Sequence, residues 1–433
     1  MHSFHYRDGR LICEDVDLET LADEHGTPLY VYSSATVRDH YRRLSGSLHG
    51  LDHQVCYAVK ANSTLAILNL LVREGAGFDI VSAGELFRVL QAGGKADQCT
   101  FAGVGKTKTE IAYALEAGVH SFNVESETEL AAISEVARAH GKVAPFAIRV
   151  NPDVAAGGHK YISTGKSDNK FGIGIERVAE VYDQAVKLGG IRPIGVQMHI
   201  GSQITEPGPF AMAVERMLPL AQKLKAAHAI EFLSIGGGIG IAYQASLASG
   251  ENEWWHPTES RTPPLTLEAY AAAVAPLLRG VGLKILLEPG RLLVGNAGVL
   301  LTRVLYRKNT PAKRFVIVDA GMNDLIRPAL YGGYHEIVPL REPNREATRE
   351  TVDVVGPVCE SGDFFAQGRE LPPTKPGDVV ALMSAGAYGF AMASNYNSRP
   401  MPAEVLIDGG GSAVVRERQS LADLIRGESI PAW

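Results

Sequence analysis

Eight short apolar runs, separated by amphipathic stretches, occupy the chain from about residue 53 to residue 290. Strands that alternate with helices in this way are typical of βα units and a parallel sheet. Eight such units in about 240 residues match the size of a (β/α)8 TIM barrel, whose chemistry lies at the carboxyl ends of its strands. An open, doubly wound α/β sheet is the alternative. The predicted strands are residues 53–60, 78–82, 99–104, 120–125, 144–150, 194–200, 231–237 and 284–289.

Residues 292–433 show a different pattern, in which strand-like apolar runs are separated by glycine, proline and charged turns. This pattern predicts a second, mainly β domain with a sandwich-like or barrel-like form. We therefore place the barrel at residues 36–291. Residues 1–35 hold a short helix before Gly26 and then the run "LYVYS", and we expect this segment to pack with the β domain.

Local signals mark the starts of two barrel helices. Ser82 and Ser126 each stand three residues before a glutamate, Glu85 and Glu129, which predicts two capping boxes. Long loops in barrels often carry function. Two stretches are long enough to be such loops, residues 151–170 and 243–264.

Charge and cysteine content exclude several classes of protein. The chain has 42 basic and 48 acidic residues without a long run of either sign, so nothing points to nucleic acid or an anionic membrane. Its start lacks the apolar core of a signal peptide, and no later segment could span a bilayer. We expect a soluble, cytoplasmic protein that acts on a small molecule without a metal. No C-x-x-C pair or disulfide framework arises from the four cysteines, Cys13, Cys56, Cys99 and Cys359.

Three glycine-rich strings resemble nucleotide-binding motifs but fail their spacing. A P-loop needs a glycine five residues before its Gly-Lys pair, and the strings at 102–107 and 162–167 have Thr100 and Lys160 there. The run "GGGIGI" lacks the last glycine of GxGxxG, because Ile241 occupies that position. Motifs of zinc hydrolases and deaminases are absent from the sequence. A nucleotide fold therefore has little support.

The carboxyl ends of the predicted strands carry polar residues of chemical interest. Lys60 ends the first strand, His199 the sixth, three glycines at 236–238 the seventh, and Glu288 to Arg291 the eighth. Singly, each has an ordinary explanation: a lysine that extends to solvent, a core histidine, or a surface ion pair. Glycines, however, let backbone amides approach an anion, and barrels often hold phosphate in the loops after strands seven and eight. These loops indicate a phosphorylated ligand.

Taken together, the strand ends describe one cofactor. Pyridoxal 5'-phosphate needs an amine to bond its aldehyde, a cradle for its phosphate, a flat group against its ring and a partner for its pyridine nitrogen. Lys60, the glycines, His199 and Glu288 supply these four in turn. A carboxylate keeps the pyridine nitrogen protonated, so the ring withdraws electrons from the α carbon of a bound amino acid. This arrangement favours decarboxylation.

Eight strings of the chain identify a family. They are "YAVKAN" (57–62), "HIGSQ" (199–203), "GGGIG" (236–240), "EPGR" (288–291), "MNDLIRPALY" (322–331), "GPVCESGD" (356–363), "GAYG" (386–389) and "SNYNSRP" (394–400). Over nearly its whole length the chain resembles the diaminopimelate decarboxylases, the lysine-forming members of the alanine-racemase-like pyridoxal phosphate enzymes. One departure is "SDNKFGI" (167–173), where a serine is expected before Lys-Phe-Gly.

The resemblance implies decarboxylation of meso-2,6-diaminopimelate to L-lysine and CO2, the last step of lysine biosynthesis, by a homodimer with shared active sites. Lys60, His199 and Cys359 are then catalytic, and Cys359, the acid that returns a proton to the α carbon, comes with Glu360 from the partner chain. The expected cofactor-binding residues are Lys60, Asp79, His199, Ser202, Gly237, Gly238, Glu288, Pro289, Gly290, Arg291 and Tyr388. The expected substrate-binding residues are Arg291, Arg327, Tyr331, Glu360 and Tyr388, because a distal carboxylate needs cations and a distal ammonium needs an anion.

Other interpretations stay open. A decarboxylase of carboxynorspermidine, ornithine or a carrier-bound amino acid would use the same scaffold, although "ESGD" and the two arginines argue against it. An alanine racemase would place a cation where Glu288 stands. A non-catalytic paralogue would regulate a true enzyme, although both Lys60 and Cys359 are retained. For Cys359, the alternative is a buried structural thiol.

Overall fold

The computed structural model describes residues 1–154, 170–258, 261–344, 346 and 348–433. The string at 162–167, the departure before Lys170 and most of the stretch 151–170 lie outside the described residues. The chain divides into two compact units. The barrel unit is Arg38–Ile241 with Thr262–Leu293, and the β unit is Met1–Val37, Ala242–Arg261 and Val294–Trp433.

The barrel unit contains a closed ring of eight parallel strands, in which each strand pairs with its neighbours in chain order. The eighth strand closes the ring on the first, with Ile285 opposite His53 and Leu287 opposite Val55. The predicted (β/α)8 barrel is therefore confirmed, and the open-sheet alternative is wrong. The eight strands are His53–Ala58, Gly77–Ile80, Cys99–Phe101, Ser121–Val124, Ala144–Asn151, Ile191–Met198, Phe232–Ser234 and Lys284–Leu287, and a short strand, Ile173–Gly174, adds to the fifth.

Helices follow most barrel strands, and their starts differ in detail from the prediction. Ser82 and Ser126 do cap helices by accepting from the amides of Glu85 and Glu129. The glutamate side chains, however, bond the amides one residue before each cap, at Val81 and Glu125. A complete capping box is present in this unit at Thr107, which the sequence analysis did not predict. The helices of this unit are Leu65–Arg73, Ala83–Gln91, Lys108–Ala117, Glu127–Ala139, Ile175–Ala185, Gly208–His228 and Leu267–Leu278, while Ser34–Ser47 and Arg291–Val294 span the divisions between units.

Phe232 fills part of the barrel interior. It is 1% exposed and packs in a cluster with Cys56, Ala147, Ile194 and Leu286. A Cβ atom at Gly195 would lie 2.3 Å from the Phe232 ring, far inside van der Waals contact. Only glycine therefore fits at Gly195, and the barrel has a solid core beneath its carboxyl end.

The β unit holds the predicted mainly β domain. Its larger sheet includes the N-terminal strand Leu29–Ser33, which pairs antiparallel with Gly298–Asn309 and parallel with Ala403–Asp408. The other strands of that sheet are Arg314–Val318, Ile337–Pro339, Glu350–Val355, Phe364–Leu371, Val379–Leu382 and Gly411–Arg416. A three-stranded antiparallel sheet is formed by Phe4–Arg7, Arg10–Cys13 and Val16–Asp17, and the helices are Leu18–His25, Arg327–Tyr331 and Leu421–Leu424.

The segment Ala242–Arg261 belongs to the β unit, whereas we predicted one uninterrupted barrel domain over residues 36–291. Hydrogen bonds explain its place: Asn296 Nδ2 donates to the Ala242 carbonyl at 3.0 Å, and the Leu247 amide donates to Glu336 Oε2 at 2.8 Å. The boundaries 1–35, 36–291 and 292–433 otherwise stay a prediction. Among the described helices, none combines the length and apolar character that a bilayer crossing requires.

Candidate active site

Polar side chains converge at the carboxyl end of the barrel, where the predicted site lies. The barrel unit holds ten of the predicted residues: Lys60, Asp79, His199, Ser202, Gly237, Gly238, Glu288, Pro289, Gly290 and Arg291. The β unit holds the other five: Arg327, Tyr331, Cys359, Glu360 and Tyr388.

Lys60 follows the first barrel strand on a short 3-10 turn, Val59–Ala61. Its neighbours Val59 and Ala61 are fully buried, whereas Lys60 itself is exposed. The turn is fixed on one side by the Ala58 amide, which donates to the Pro289 carbonyl at 3.0 Å, and on the other by the Tyr57 hydroxyl, which donates to the Asn62 carbonyl at 2.9 Å. The buried neighbours anchor the backbone, and the Lys60 residue between them is exposed at the barrel mouth.

Glu288 and Asp79 are two buried carboxyl groups at this end of the barrel. Glu288 is 6% exposed and Asp79 is 4% exposed. Burial raises the pKa of Glu288, against hydrogen bonds from Ser234 Oγ at 2.7 Å and Gln197 Nε2 at 2.8 Å that favour its ionised form. Burial also holds the pKa of Asp79 well above its usual range, and the charge of Glu288 adds to this effect while Lys60 opposes it. A positive charge nearby stabilises the ionised form of a buried carboxyl group. These two carboxyl groups therefore favour the binding of a cation beside them.

His199 stands at the end of the sixth strand with a neutral ring. Burial holds its pKa well below the usual range, and the positive charges of Arg149 and Lys60 lower it further. The Gly237 amide donates to His199 Nδ1 at 3.3 Å, so that nitrogen is the unprotonated one. A neutral, flat imidazole is therefore presented beside the glycine turn.

The glycines after the seventh strand form a turn of bare backbone. A Cβ atom at Gly237 would lie 2.0 Å from the Glu288 carbonyl oxygen, and one at Gly238 would lie 2.3 Å from that of Gly201. Gly238 also has a φ of +100°, in the region that favours glycine. No side chain fits at these positions, so the backbone stays uncovered, as an anion-binding turn requires.

Arg291 and Ser202 meet beside this turn. Arg291 is 7% exposed and its Nη2 donates to Ser202 Oγ at 3.1 Å. The Leu293 amide donates to the Gly290 carbonyl at 3.1 Å and so turns the chain directly after "EPGR". The structure thus brings the loops after strands six and eight together, as their shared position in the barrel predicts.

In the β unit, Cys359 and Glu360 are exposed, so the buried-thiol alternative for Cys359 is wrong. The Cys359 amide donates to Asn397 Oδ1 at 2.8 Å, which joins the "CESGD" and "SNYNSRP" strings. Tyr388 has a φ of +57°, a conformation that is rare for a bulky residue and that concentrates at functional sites. Tyr331 ends the short helix that begins at Arg327.

Sequence reasoning missed Arg149, which lies on the fifth strand. Its guanidinium donates to Glu125 Oε1 at 3.0 Å and lies 4.5 Å from the centroid of the Phe171 ring. The positive charge of Arg149 acts on Asp79, Glu288 and His199. The signal was present in "APFAIRV" (144–150), since an arginine inside an otherwise apolar strand must be paired.

The rejected P-loop string has a structural role that supports Arg149. Lys106 donates to the Gly103 and Asn123 carbonyls, each at 2.8 Å, and to Glu129 Oε1 at 2.7 Å. The other Glu129 oxygen accepts from the amide of Glu125 at 2.8 Å. Lys106 and Glu129 are buried, with side chains 1% and 7% exposed. The ion pair between Lys106 and Glu129 therefore positions Glu125, and Glu125 in turn holds the Arg149 guanidinium.

We expect Lys106→Met to destabilise the protein by about 3–5 kcal/mol, because Glu129 would remain buried without its cation. The matched control is Lys108→Met, whose pair with Glu135 has side chains 61% and 58% exposed and should cost less than about 1 kcal/mol. The double variant Lys106→Met/Glu129→Gln should recover part of the loss. Urea unfolding measures all three, and an equal cost for the two single variants would contradict the assignment.

Comparison with known proteins identifies the family. The family described as "Pyridoxal-dependent decarboxylase, pyridoxal binding domain" matches residues 34–295. A diaminopimelate decarboxylase from Pseudomonas fluorescens is 48% identical over 432 residues, which cover 99% of each chain. The chain belongs to the diaminopimelate decarboxylase family.

The chain is also similar to solved structures of diaminopimelate decarboxylases. The diaminopimelate decarboxylase from M. jannaschii in complex with L-lysine is 36% identical, with a TM-score of 0.89 and coverage of 99% of this chain and 98% of that one. The enzyme from Helicobacter pylori, also complexed with L-lysine, is 39% identical, with a TM-score of 0.86 and coverage of 95% and 98%. Both likenesses extend over the barrel unit and the β unit.

Family membership makes pyridoxal phosphate the cofactor of this decarboxylase, and the barrel residues fit it. Asp79 Oδ1 is buried and has no hydrogen-bond partner among the described residues, which suits the neighbourhood of a protonated ring nitrogen. The bare glycine turn suits the phosphate, and Lys60 offers the amine. The described residues contain no cluster of three or more side chains able to hold a metal ion.

Proposed function

We propose that the chain decarboxylates meso-2,6-diaminopimelate to L-lysine and CO2. The observation that carries the proposal is the barrel end itself, where an accessible lysine, two buried carboxyl groups, a neutral histidine and a bare glycine turn surround one place. The names of the relatives add the substrate, since proteins 48% and 47% identical over 99% of their length are called diaminopimelate decarboxylases.

The reaction breaks one carbon–carbon bond and adds one proton. Bound pyridoxal phosphate supplies an electron sink for the pair that the departing carboxylate leaves on the α carbon. We propose that Lys60 would bond the aldehyde of the cofactor, that Glu288 and Asp79 would stabilise the positive charge of its ring nitrogen, and that the imidazole of His199 would contact its ring. The proposed cofactor-binding set is completed by the glycine turn together with Ser202, Pro289, Gly290, Arg291 and Tyr388.

The proton acceptor is the α carbon, and we propose the Cys359 thiol as the proton donor. Cys359 and Glu360 are both exposed on the β unit, so a second copy of the chain can reach them. We therefore propose a homodimer in which Cys359 of the partner subunit completes each site. A working thiol must stay reduced, which suits the cytoplasm as the place of action.

Substrate specificity follows from the distal end of diaminopimelate. We propose that Arg291, Arg327 and Tyr331 hold its distal carboxylate, and that Glu360 of the partner subunit holds its distal ammonium. Buried guanidinium groups bind carboxylates through paired N–H donors. When a substrate lacks the carboxylate, these donors lose a charged partner.

We expect diaminopimelate to be decarboxylated at least about 10-fold more efficiently than D-lysine or L-ornithine, since one lost hydrogen bond to a charged group costs about 1.5–3 kcal/mol. Arg327→Ala should reduce the ratio of the efficiency with diaminopimelate to that with D-lysine or L-ornithine, chiefly because diaminopimelate is decarboxylated less efficiently. Arg307→Ala is the control, because Arg307 is engaged by Glu350 and the Thr374 carbonyl. The measurement is CO2 release and amine product for each substrate. Equal efficiency of wild type with all three would refute the proposed substrate.

A further inference from the structure

His335 is a buried histidine of the β unit that neither the sequence analysis nor the proposed reaction uses. It is 0% exposed. Its Nε2 lies 2.7 Å from Arg327 Nη1, and its Nδ1 lies 2.8 Å from the Met383 carbonyl oxygen. One imidazole therefore connects a proposed substrate-binding cation to the backbone at the end of a strand.

The partners of His335 fix its protonation. A carbonyl oxygen only accepts hydrogen bonds, so Nδ1 must carry the proton and donate to Met383. Arg327 only donates, so Nε2 must be the bare nitrogen that accepts from Nη1. A second proton on the ring would set one N–H against another. His335 is thus held as a neutral ring in one tautomer, with its acceptor directed at the guanidinium.

The local chain path creates this contact. Gly332, with a φ of +60°, ends the helix Arg327–Tyr331, and the Gly333 amide donates to the Arg327 carbonyl at 3.2 Å. This turn brings His335 back to the start of the helix. The His335 carbonyl then accepts from Arg369 Nη1 at 3.0 Å. The position of the imidazole is therefore set by the backbone on both sides.

Tyr243 supports Arg327 from another direction. The Arg327 Cζ atom lies 4.6 Å from the centroid of the Tyr243 ring. The rings of Tyr243 and His335 meet edge to face, with centroids 5.5 Å apart and an interplanar angle of 82°. The guanidinium is thus held by a ring contact and by a hydrogen bond, and these two contacts reduce the conformational freedom that Arg327 would lose on binding a carboxylate.

We propose that His335 is a positioning residue that orients Arg327 for the distal carboxylate of the substrate. This inference rests on the proposed function. A carboxylate that binds in a paired arrangement needs two N–H groups in one plane, and the hydrogen bond through Nη1 and the contact with the Tyr243 ring together restrict the orientation of that plane. His335 acts through Arg327, and it does not touch the reacting carbon.

The first test is His335→Leu, which removes the acceptor and keeps an apolar side chain of similar length. We expect KM for diaminopimelate to rise roughly 10-fold with kcat nearly unchanged, because the lost interaction serves binding before and during the reaction alike. Activity with D-lysine, which has no distal carboxylate, should stay at the wild-type level. An equal loss with both substrates would instead indicate a general structural role and overturn the proposal.

A pair of amide variants separates positioning from structural anchoring. His335→Gln places an oxygen near the position of Nε2, whereas His335→Asn places a donor near the position of Nδ1. If His335 acts by positioning Arg327, His335→Gln should have the lower KM of the two variants. If His335 acts only by anchoring the chain to Met383, His335→Asn should have the lower KM. The comparison decides the matter even if the leucine variant does not fold.

A double-mutant cycle with Arg327→Ala gives an independent check. If His335 acts through Arg327, His335→Leu or His335→Asn should add little to the KM of Arg327→Ala, since each of these His335 changes and Arg327→Ala remove the same interaction. Additive effects would overturn the positioning role. Failure of the wild type to release CO2 from diaminopimelate would overturn the proposed function and this inference together. Normal wild-type activity with an unchanged KM in His335→Leu and His335→Asn would overturn the inference alone.

Discussion

Lys60→Ala is expected to lower decarboxylation by on the order of 10³-fold or more, because the variant loses the amine that bonds the cofactor. The side chain is exposed between the buried Val59 and Ala61, so its truncation leaves no cavity. The folded state should therefore survive. Borohydride reduction of the wild type, followed by peptide mapping, should place the cofactor on Lys60 and abolish the visible absorption of the protein.

The matched control is Lys284→Ala. Lys284 is an exposed lysine that begins the eighth barrel strand, at the end of the barrel opposite to Lys60. This variant should keep the cofactor adduct and the activity of the wild type. Adducts that map only to other lysines, or a Lys60→Ala protein with normal turnover, would remove Lys60 from the reaction.

Cys359→Ala is expected to reduce kcat by about 10²–10⁴-fold, the usual contribution of a general acid. The cofactor should still bind, because the barrel residues are unchanged and the thiol acts only after CO2 leaves. Cys359→Ser should recover little, since a hydroxyl is a far weaker acid than a thiol. Ser361→Ala, at an exposed neighbouring position of the same string, is the control and should be fully active.

Mixing the two inactive variants tests the shared site. We consider a heterodimer of one Lys60→Ala chain and one Cys359→Ala chain. If each site takes Lys60 from one chain and Cys359 from the other, one of the two sites in this heterodimer is intact. An equal mixture of exchanging dimers should thus approach roughly a quarter of wild-type activity. Sites built within one chain would give no recovery, and the absence of recovery in dimers shown to have exchanged would refute the homodimer proposal.

The barrel was predictable because each of its strands is a short apolar run bounded by a helix. Several strands of the β unit were not. Phe364–Leu371 carries Gln367, Arg369 and Glu370, so its alternation is too polar to stand out, and Ile337–Pro339 is only three residues long. The place of Ala242–Arg261 was also hidden, because it depends on hydrogen bonds to residues distant in the sequence.

The barrel part of the candidate site followed from strand ends alone, since barrel geometry brings those ends together whatever lies between them. Arg149 and His335 show where this reasoning stops. Arg149 is inside a strand, and its importance depends on which buried charges face it. His335 depends on the turn at Gly332 and Gly333, which returns the chain onto Arg327. Contacts made through tertiary folding of this kind leave no spacing pattern in the sequence.

The hydrogen bond from the Ala58 amide to the Pro289 carbonyl affects how the enzyme is made. It joins loops whose key residues, Lys60 and Glu288, are more than two hundred residues apart in the chain. During translation the N-terminal part emerges first, so Lys60 leaves the ribosome long before the strand that completes its surroundings. Contacts between such distant segments form late in folding. The end of the barrel that carries Lys60 is therefore complete only after the eighth strand has paired with the first.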